Sequence, residues 1–308
     1  MKIQSLSIVV PGGCPNSCAC CVSQLHADDN YSNQIEKNYQ FEDLYRDDFH
    51  DALSFARDNG CNVMMLTGDG EPLMNIYYLR MITELNKTLD KPFRWIELQT
   101  SGVFLLKKSA ENGGSINLRW LRNMIRVKTI SLSLFNIFDS ELNKAYSRPK
   151  SPKAVVDIDK TCSEIRKYDF TLRLSLNMVD YYNDIDPVDI FNRAKELGAN
   201  QITFRVLYDS DTPVEFQSSK EKEISQWIKD HRANPDVIKK INEYIIKHGK
   251  KLERLPFGAY RYSVHGMSCV VDEDCMSTAE DNDVMKYLIL RPDCHLYSKW
   301  DDAGSRLF

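Results

Sequence analysis

The sequence predicts an α/β fold built on a parallel sheet, and three observations carry that prediction. Six short apolar runs alternate with amphipathic segments over the first two thirds of the chain. Each run is rich in β-branched or large apolar residues and is bounded by Gly, Asn, Asp or Pro. Strand, helix, strand, repeated about six times, implies parallel pairing with right-handed crossovers. Such units make either an open doubly wound sheet or a partial barrel, and periodicity does not choose between them. In both, ligands collect at the carboxyl ends of the strands.

Taken in order, the strand-like runs are Ile3–Val10, Asn62–Thr67, Arg94–Thr100, Lys128–Phe135, Thr171–Val179 and Gln201–Leu207. The helix-like segments are Phe41–Asn59, Met74–Leu89, Leu118–Arg126, Pro152–Tyr168 and Pro187–Leu197. Asn59-Gly60 and Leu197-Gly198 read as helix stops. After Leu207 the pattern changes. A polar stretch leads to helix-like segments Lys220–Lys229 and Pro235–His248, the second closed by Gly249. A tail of β character follows in Tyr260–Val271 and Tyr287–Tyr297, the latter broken by Arg291-Pro292-Asp293-Cys294, which reads as a hairpin turn. Residues 1–207 are read as a core, and residues 208–308 as a C-terminal α+β extension expected to cover the mouth formed by the strand ends.

Composition narrows the function. With 40 basic and 44 acidic side chains the formal charge is −4, which gives no long-range field to gather nucleic acid or an anionic membrane. The absence of a basic stripe argues against large nucleic-acid substrates. The apolar run Ile3–Val10 turns polar at Gly12 without the flanks of a signal peptide. No stretch approaches the ~20 apolar residues of a spanning helix. The expectation is a cytoplasmic, soluble protein. There, nine cysteines are read as metal or redox chemistry rather than a disulfide framework.

The first apolar run ends in Pro11-Gly12-Gly13-Cys14-Pro15-Asn16-Ser17-Cys18-Ala19-Cys20-Cys21. Thiolates this close in one short loop can wrap an iron–sulfur cubane, and Gly and Pro let the backbone bend around it. Two other readings stay open on spacing alone: Cys14, Cys18, Cys20 and Cys21 as half of a zinc site, or buried structural thiols. The spacing of Cys14, Cys18 and Cys21 directly after a first strand resembles the CxxxCxxC signature of the radical S-adenosylmethionine (SAM) superfamily. The resemblance implies a partial (β/α)6 parallel barrel and a [4Fe–4S] cluster on Cys14, Cys18 and Cys21. The fourth iron is then open to the amino and carboxylate groups of SAM. One electron, from a donor such as flavodoxin or ferredoxin, would release a 5′-deoxyadenosyl radical that abstracts a substrate hydrogen. One position departs from the pattern: Cys20 stands where the family usually has an aromatic residue.

Later strand ends carry supporting motifs. Gly68-Asp69-Gly70-Glu71-Pro72 offers two glycines for close approach and a carboxylate acceptor. It resembles the family's Gly-Gly-Glu-Pro segment, which meets the methionine amino group, with Asp69 inserted between the glycines. Thr100-Ser101-Gly102 resembles the tripeptide after strand three in many members. Ser131 and Ser133 share one strand face, and the resemblance places such residues, with Asn177, near the ribose or carboxylate of SAM. Arg205 lies in an apolar strand, where an unpaired charge is costly, and is expected to point into a polar barrel cavity as a further cofactor-binding candidate.

Cys269, Cys275 and Cys294 lack the close pairing of a second cluster and are read as scattered thiols. Arg261, His265 and His295 stay outside the site. The leading function is hydrogen abstraction from a small-molecule or peptide substrate, with no catalytic residue singled out. The alternatives are a glycyl-radical-enzyme activase and a non-enzymatic zinc-binding scaffold.

Overall fold

Each of the six apolar runs is a strand in the computed structural model, which describes residues 2–25, 45–106, 116–210, 212–255, 258–273, 284–300 and 303–307. They are β1 Lys2–Val9, β2 Val63–Thr67, β3 Trp95–Thr100, β4 Thr129–Leu134, β5 Thr171–Met178 and β6 Gln201–Val206. They pair in parallel in sequence order. Strands that always advance in one direction with right-handed crossovers put their helices on one face. The other face becomes a concave interior, which decides for a partial barrel over a doubly wound sheet.

Alternation along the strands separates those two faces. Leu6 and Ile8, Met64 and Leu66, Ile96 and Leu98, Ile130 and Leu132, Leu174 and Leu176, and Ile202 and Phe204 are all buried in one apolar core. The residues between them are largely polar: Ser5 and Ser7, Glu97 and Gln99, Ser131 and Ser133, Arg173, Ser175 and Asn177, Thr203 and Arg205. The inner face of the barrel is therefore largely polar.

The helices are α1 Val22–Leu25, α2 Arg46–Asp58, α3 Ile76–Thr88, α4 Ile116–Trp120, α5 Ser140–Ser147, α6 Ile158–Lys167, α7 Pro187–Glu196, α8 Ser219–His231 and α9 Pro235–His248. Side-chain caps start five of them: Asn75, Asp139, Asp157, Asp186 and Ser218 each accept from a backbone N–H of the first turn. Ser218 and Glu221 form a reciprocal capping box. Gly60 (φ +98°) and Gly198 (φ +76°) provide the left-handed stops expected of them.

Three expectations are corrected. The segment read as a helix over Pro152–Tyr168 is helical only from Ile158, because Asp157 caps there by accepting from the N–H of Lys160 at 3.0 Å. Just before that stretch, Lys150 N–H donates to the Pro15 carbonyl at 2.8 Å. The segment Leu118–Arg126 is α4 followed by a π-helical turn over Leu121–Ile125, closed by Arg126 at φ +62°. Gly249 does not adopt a left-handed stop; at φ −102° it is extended and opens a further strand.

The extension threads into both margins of the sheet. β7 Gly249–Arg254, β8 Tyr260–Val264 and β9 Met267–Asp272 form an antiparallel ribbon whose last strand runs parallel to β6. β10 Val284–Leu290 runs parallel to β1, and β11 Leu296–Tyr297 returns antiparallel to β10 through the turn expected at Arg291–Cys294. Lys286 on β10 and Asp272 on β9 lie 3.4 Å apart, so an ion pair ties together the two ends of this parallel array. Among the described residues no helix is long and apolar enough to cross a membrane.

Candidate cofactor site

The cysteine loop leaves β1 at the carboxyl edge and is clamped from two sides. On one side stands the turn after β2. Glu71 N–H donates to the Gly13 carbonyl at 3.0 Å, and Asn75 Nδ2 donates to the Pro11 carbonyl at 3.0 Å. A Cβ at Gly68 would lie 2.6 Å from the Val10 carbonyl oxygen, and one at Gly70 would lie 2.4 Å from that of Gly13. The close approach these glycines permit is thus made by the cysteine loop itself. On the other side stands the end of α5. Ser17 N–H donates to the Arg148 carbonyl at 2.9 Å, and Cys18 Sγ donates to the Ser147 carbonyl at 3.4 Å.

Within the loop the four thiols divide. Cys20 is buried and packs into the apolar core, whereas Cys14, Cys18 and Cys21 are half-buried. Burial raises the thiol pKa at all three, and at Cys18 the neighbouring Cys20, Cys21 and Cys14 oppose ionisation further. Three thiolates persist in such a place only beside compensating positive charge, which iron supplies. Among the described residues no three His, Cys, Asp or Glu side chains are gathered tightly enough to hold a metal ion. In its chemistry, however, the donor set fits a three-cysteine cubane: three accessible thiols on one loop, with the fourth turned into the core.

Glu71 is the brace between strands. The residue is 4% exposed. Oε1 accepts from Thr100 Oγ1 at 2.6 Å and from the Leu73 N–H at 3.4 Å. Oε2 accepts from the Ser101 N–H at 2.8 Å and from Ser101 Oγ at 2.6 Å. Burial pushes the carboxyl pKa up, and these four donors pull it back without cancelling the rise. So Pro72, Thr100 and Ser101 meet around Glu71, and the sequence motifs after β2 and β3 are two halves of one joint. Replacing Glu71 by Ala is expected to destabilise the chain by about 1–3 kcal/mol for each buried donor left unpaired. A denaturant titration reads this directly, and a change below about 0.5 kcal/mol, as for an ordinary surface substitution, would remove Glu71 from that role.

The remaining site residues lie on the inner face at two depths. Ser133, Asn177 and Arg205 are nearest the carboxyl ends of β4, β5 and β6, with Asn177 Nδ2 donating to Ser133 Oγ at 3.1 Å. Asn177 and Arg205 are register partners. Ser131 sits one layer deeper, paired in register with Gln99 on one side and Arg173 on the other.

The sequence reading missed what fills that deeper layer. Arg173 Nη1 donates to Glu97 Oε1, Arg173 Nε donates to Gln201 Oε1 at 2.7 Å, and Gln99 Nε2 reaches Glu97 Oε1 at 3.4 Å. The signal was present: a lone charge inside an apolar strand, the same feature that drew attention to Arg205. A second network also escaped notice. Asp180, just past β5, accepts from Tyr146 OH at 2.6 Å and pairs with His231 Nδ1 at 2.8 Å. It joins α5, next to Cys18, to α8 of the extension.

The tail residues have local partners or core positions. Cys269 is buried in the apolar core, and burial pushes its thiol pKa up. Cys294 occupies the turn at φ +62°, its thiol pushed up to about 11 by burial and then by Asp48 and Asp293. Cys275 lies outside the described residues. His265 Nε2 is 2.8 Å from Tyr244 OH, Arg261 pairs with Glu253 at 2.7 Å, and His295 Nδ1 contacts the Asp293 carbonyl at 2.5 Å.

No protein-family model matches the chain, and no curated protein matches it. Among solved structures it is similar to native anSMEcpe with bound AdoMet, at TM-score 0.52 and 13% identity, over 99% of this chain and 77% of that one. It is also similar to native anSMEcpe with bound AdoMet and Cp18Cys peptide, at TM-score 0.42 and 13% identity, over 75% of this chain and 59% of that one. The likeness over nearly the whole chain shows the fold, a partial barrel.

Proposed function

We propose that this chain is a radical SAM enzyme whose Cys14, Cys18 and Cys21 hold a [4Fe–4S] cluster and whose adjoining strand ends bind SAM. One observation carries the reading: the three half-buried cysteines sit on a loop clamped against the Gly68–Pro72 turn, at the carboxyl ends of β1 and β2 of a partial barrel. The fold shared with a solved protein described as holding AdoMet supports it. When bound, the cluster and SAM together supply a carbon radical able to take hydrogen from an unactivated position.

This chain's own residues have separable tasks. Gly68 and Gly70 let the β2 turn lie against the cysteine loop, and Glu71 fixes that turn to Thr100 and Ser101. We assign Gly68, Gly70, Glu71, Pro72, Thr100 and Ser101 to the methionyl end of SAM as one unit, with Glu71 acting through the turn it braces. Ser133 and Asn177 offer hydroxyl and amide groups to its ribose, and Ser131 supports them from below. The extension covers the mouth and excludes water, the substrate is a small molecule or a peptide, and a flavodoxin- or ferredoxin-like protein supplies electrons.

Anaerobic reconstitution with iron and sulfide tests the reading. The expected result is a brown protein holding about four irons per chain that releases 5′-deoxyadenosine from SAM under a strong reductant, without added substrate. Colourless protein that retains zinc would overturn it in favour of a metal-binding scaffold.

A further inference from the structure

The interior of the barrel holds one cation too many. Beyond Lys2 at the start of β1, the charged residues on its eight parallel strands are Glu97, Arg173, Arg205, Asp272 and Lys286. Two ion pairs use four of them: Arg173 with Glu97, and Lys286 with Asp272 at 3.4 Å. Among the described residues Arg205 is left without an ion pair, although Asp272 is its register partner on β9. Its Nε is buried and has no hydrogen-bond partner. On the neighbouring strand the Oγ of Ser175, itself 2% exposed, is also buried without a partner.

Orphaned donors inside a protein are costly unless something arrives to meet them. A guanidinium is always charged, and its planar fork matches a carboxylate or a phosphate. In a chain of net charge −4 an interior cation without a counter-ion among the described residues is no by-product of a basic surface. Position decides which anion it meets. β6 is the sixth strand counted from β1 along the core, and on the other side β9 and β10 intervene. Arg205 thus stands across the barrel from the cysteine loop, where our reading places the carboxylate of SAM on iron. We infer that Arg205, with Ser175 and Asn177 beside it, is the anchor for an anionic group of the substrate, a carboxylate or a phosphate. The inference rests on the proposed function for the identity of that substrate as a hydrogen donor, but not for the anion site itself.

The test uses the full chain with simple anions as probes. Thermal unfolding of wild type, Arg205→Gln and Arg205→Lys is followed in chloride, in acetate and in inorganic phosphate at matched ionic strength. A ligand that binds only the folded state raises the midpoint. Wild type should gain stability in phosphate or acetate over chloride, and Arg205→Gln should need at least tenfold more anion for the same gain. Arg205→Lys, which keeps charge without the fork, should fall between. A larger response to phosphate assigns a phosphate-bearing substrate, and a larger response to acetate a carboxylate. In chloride, Arg205→Gln should unfold at or above the wild-type midpoint, because it removes an unpaired charge. A lower midpoint would make Arg205 a structural residue and overturn the proposal, as would equal anion responses in wild type and Arg205→Gln. SAM titration of reconstituted Arg205→Gln should agree with wild type within twofold; a tenfold loss there would assign Arg205 to SAM instead. Failure of the wild type itself to take up iron or SAM sinks the proposed function while leaving the anion response to be judged alone.

Discussion

Single replacement of Cys14, Cys18 or Cys21 by Ala is expected to abolish 5′-deoxyadenosine release from SAM, while Cys20→Ala retains it. The expectation follows from where the four thiols lie. Three are half-buried on the loop between the β2 turn and the end of α5, and Cys20 is packed into the apolar core beneath them. A cubane held by three thiolates would lose one of its three protein ligands, with no spare unless Cys20 turns outward, which would leave a void in the core. Cys20→Ala should therefore act as a packing change, with a cost of order 1 kcal/mol for the small volume lost, and keep its iron. Iron content, the visible spectrum and product release are measured on all four variants. If Cys20→Ala comes out colourless and Cys21→Ala keeps its cluster, the ligand assignment is wrong.

The loop was legible as a cluster of thiols because its cysteines are neighbours in sequence, and the core strands were legible because each carries its own apolar pattern. What the sequence could not tell was which distant groups meet. Gly68 and Gly70 read as positions where a ligand comes close to the backbone, and the group that comes close in the structure is the backbone of Val10 and Gly13. Glu71 read as an acceptor for an ammonium group, and in the structure its four donors come from Leu73, Thr100 and Ser101. The extension was the least legible part. Lys250, Lys251, Glu253 and Arg254 are exposed and give β7 no apolar alternation. That β9 joins β6 while β10 joins β1 is a choice between sheet margins, made by pairing and by the Lys286–Asp272 contact rather than by any local preference.

The interior ion pair yields the largest expected effect on stability. Glu97 has 3% of its side chain exposed and Arg173 has 24%, so Glu97→Ala strands a guanidinium that has little access to water. Breaking a buried pair from one side costs about 3–5 kcal/mol, a large share of the roughly 5–15 kcal/mol that holds a typical domain folded. Arg173→Ala should cost about as much, because Glu97 would keep only the 3.4 Å contact from Gln99. Replacing both together, Glu97→Leu with Arg173→Met, should recover most of the loss, since the pair's mutual attraction barely exceeds what burying its two charges costs. Denaturant titrations of the two single variants and the double close the cycle. Additive losses would mean that the two groups do not depend on each other. The pair also bears on Arg205: removing Glu97 alone leaves Arg173 as a second free cation on the inner face. Phosphate or acetate should then restore part of the stability lost in Glu97→Ala, an effect that the double variant, with Arg173 gone, should not show.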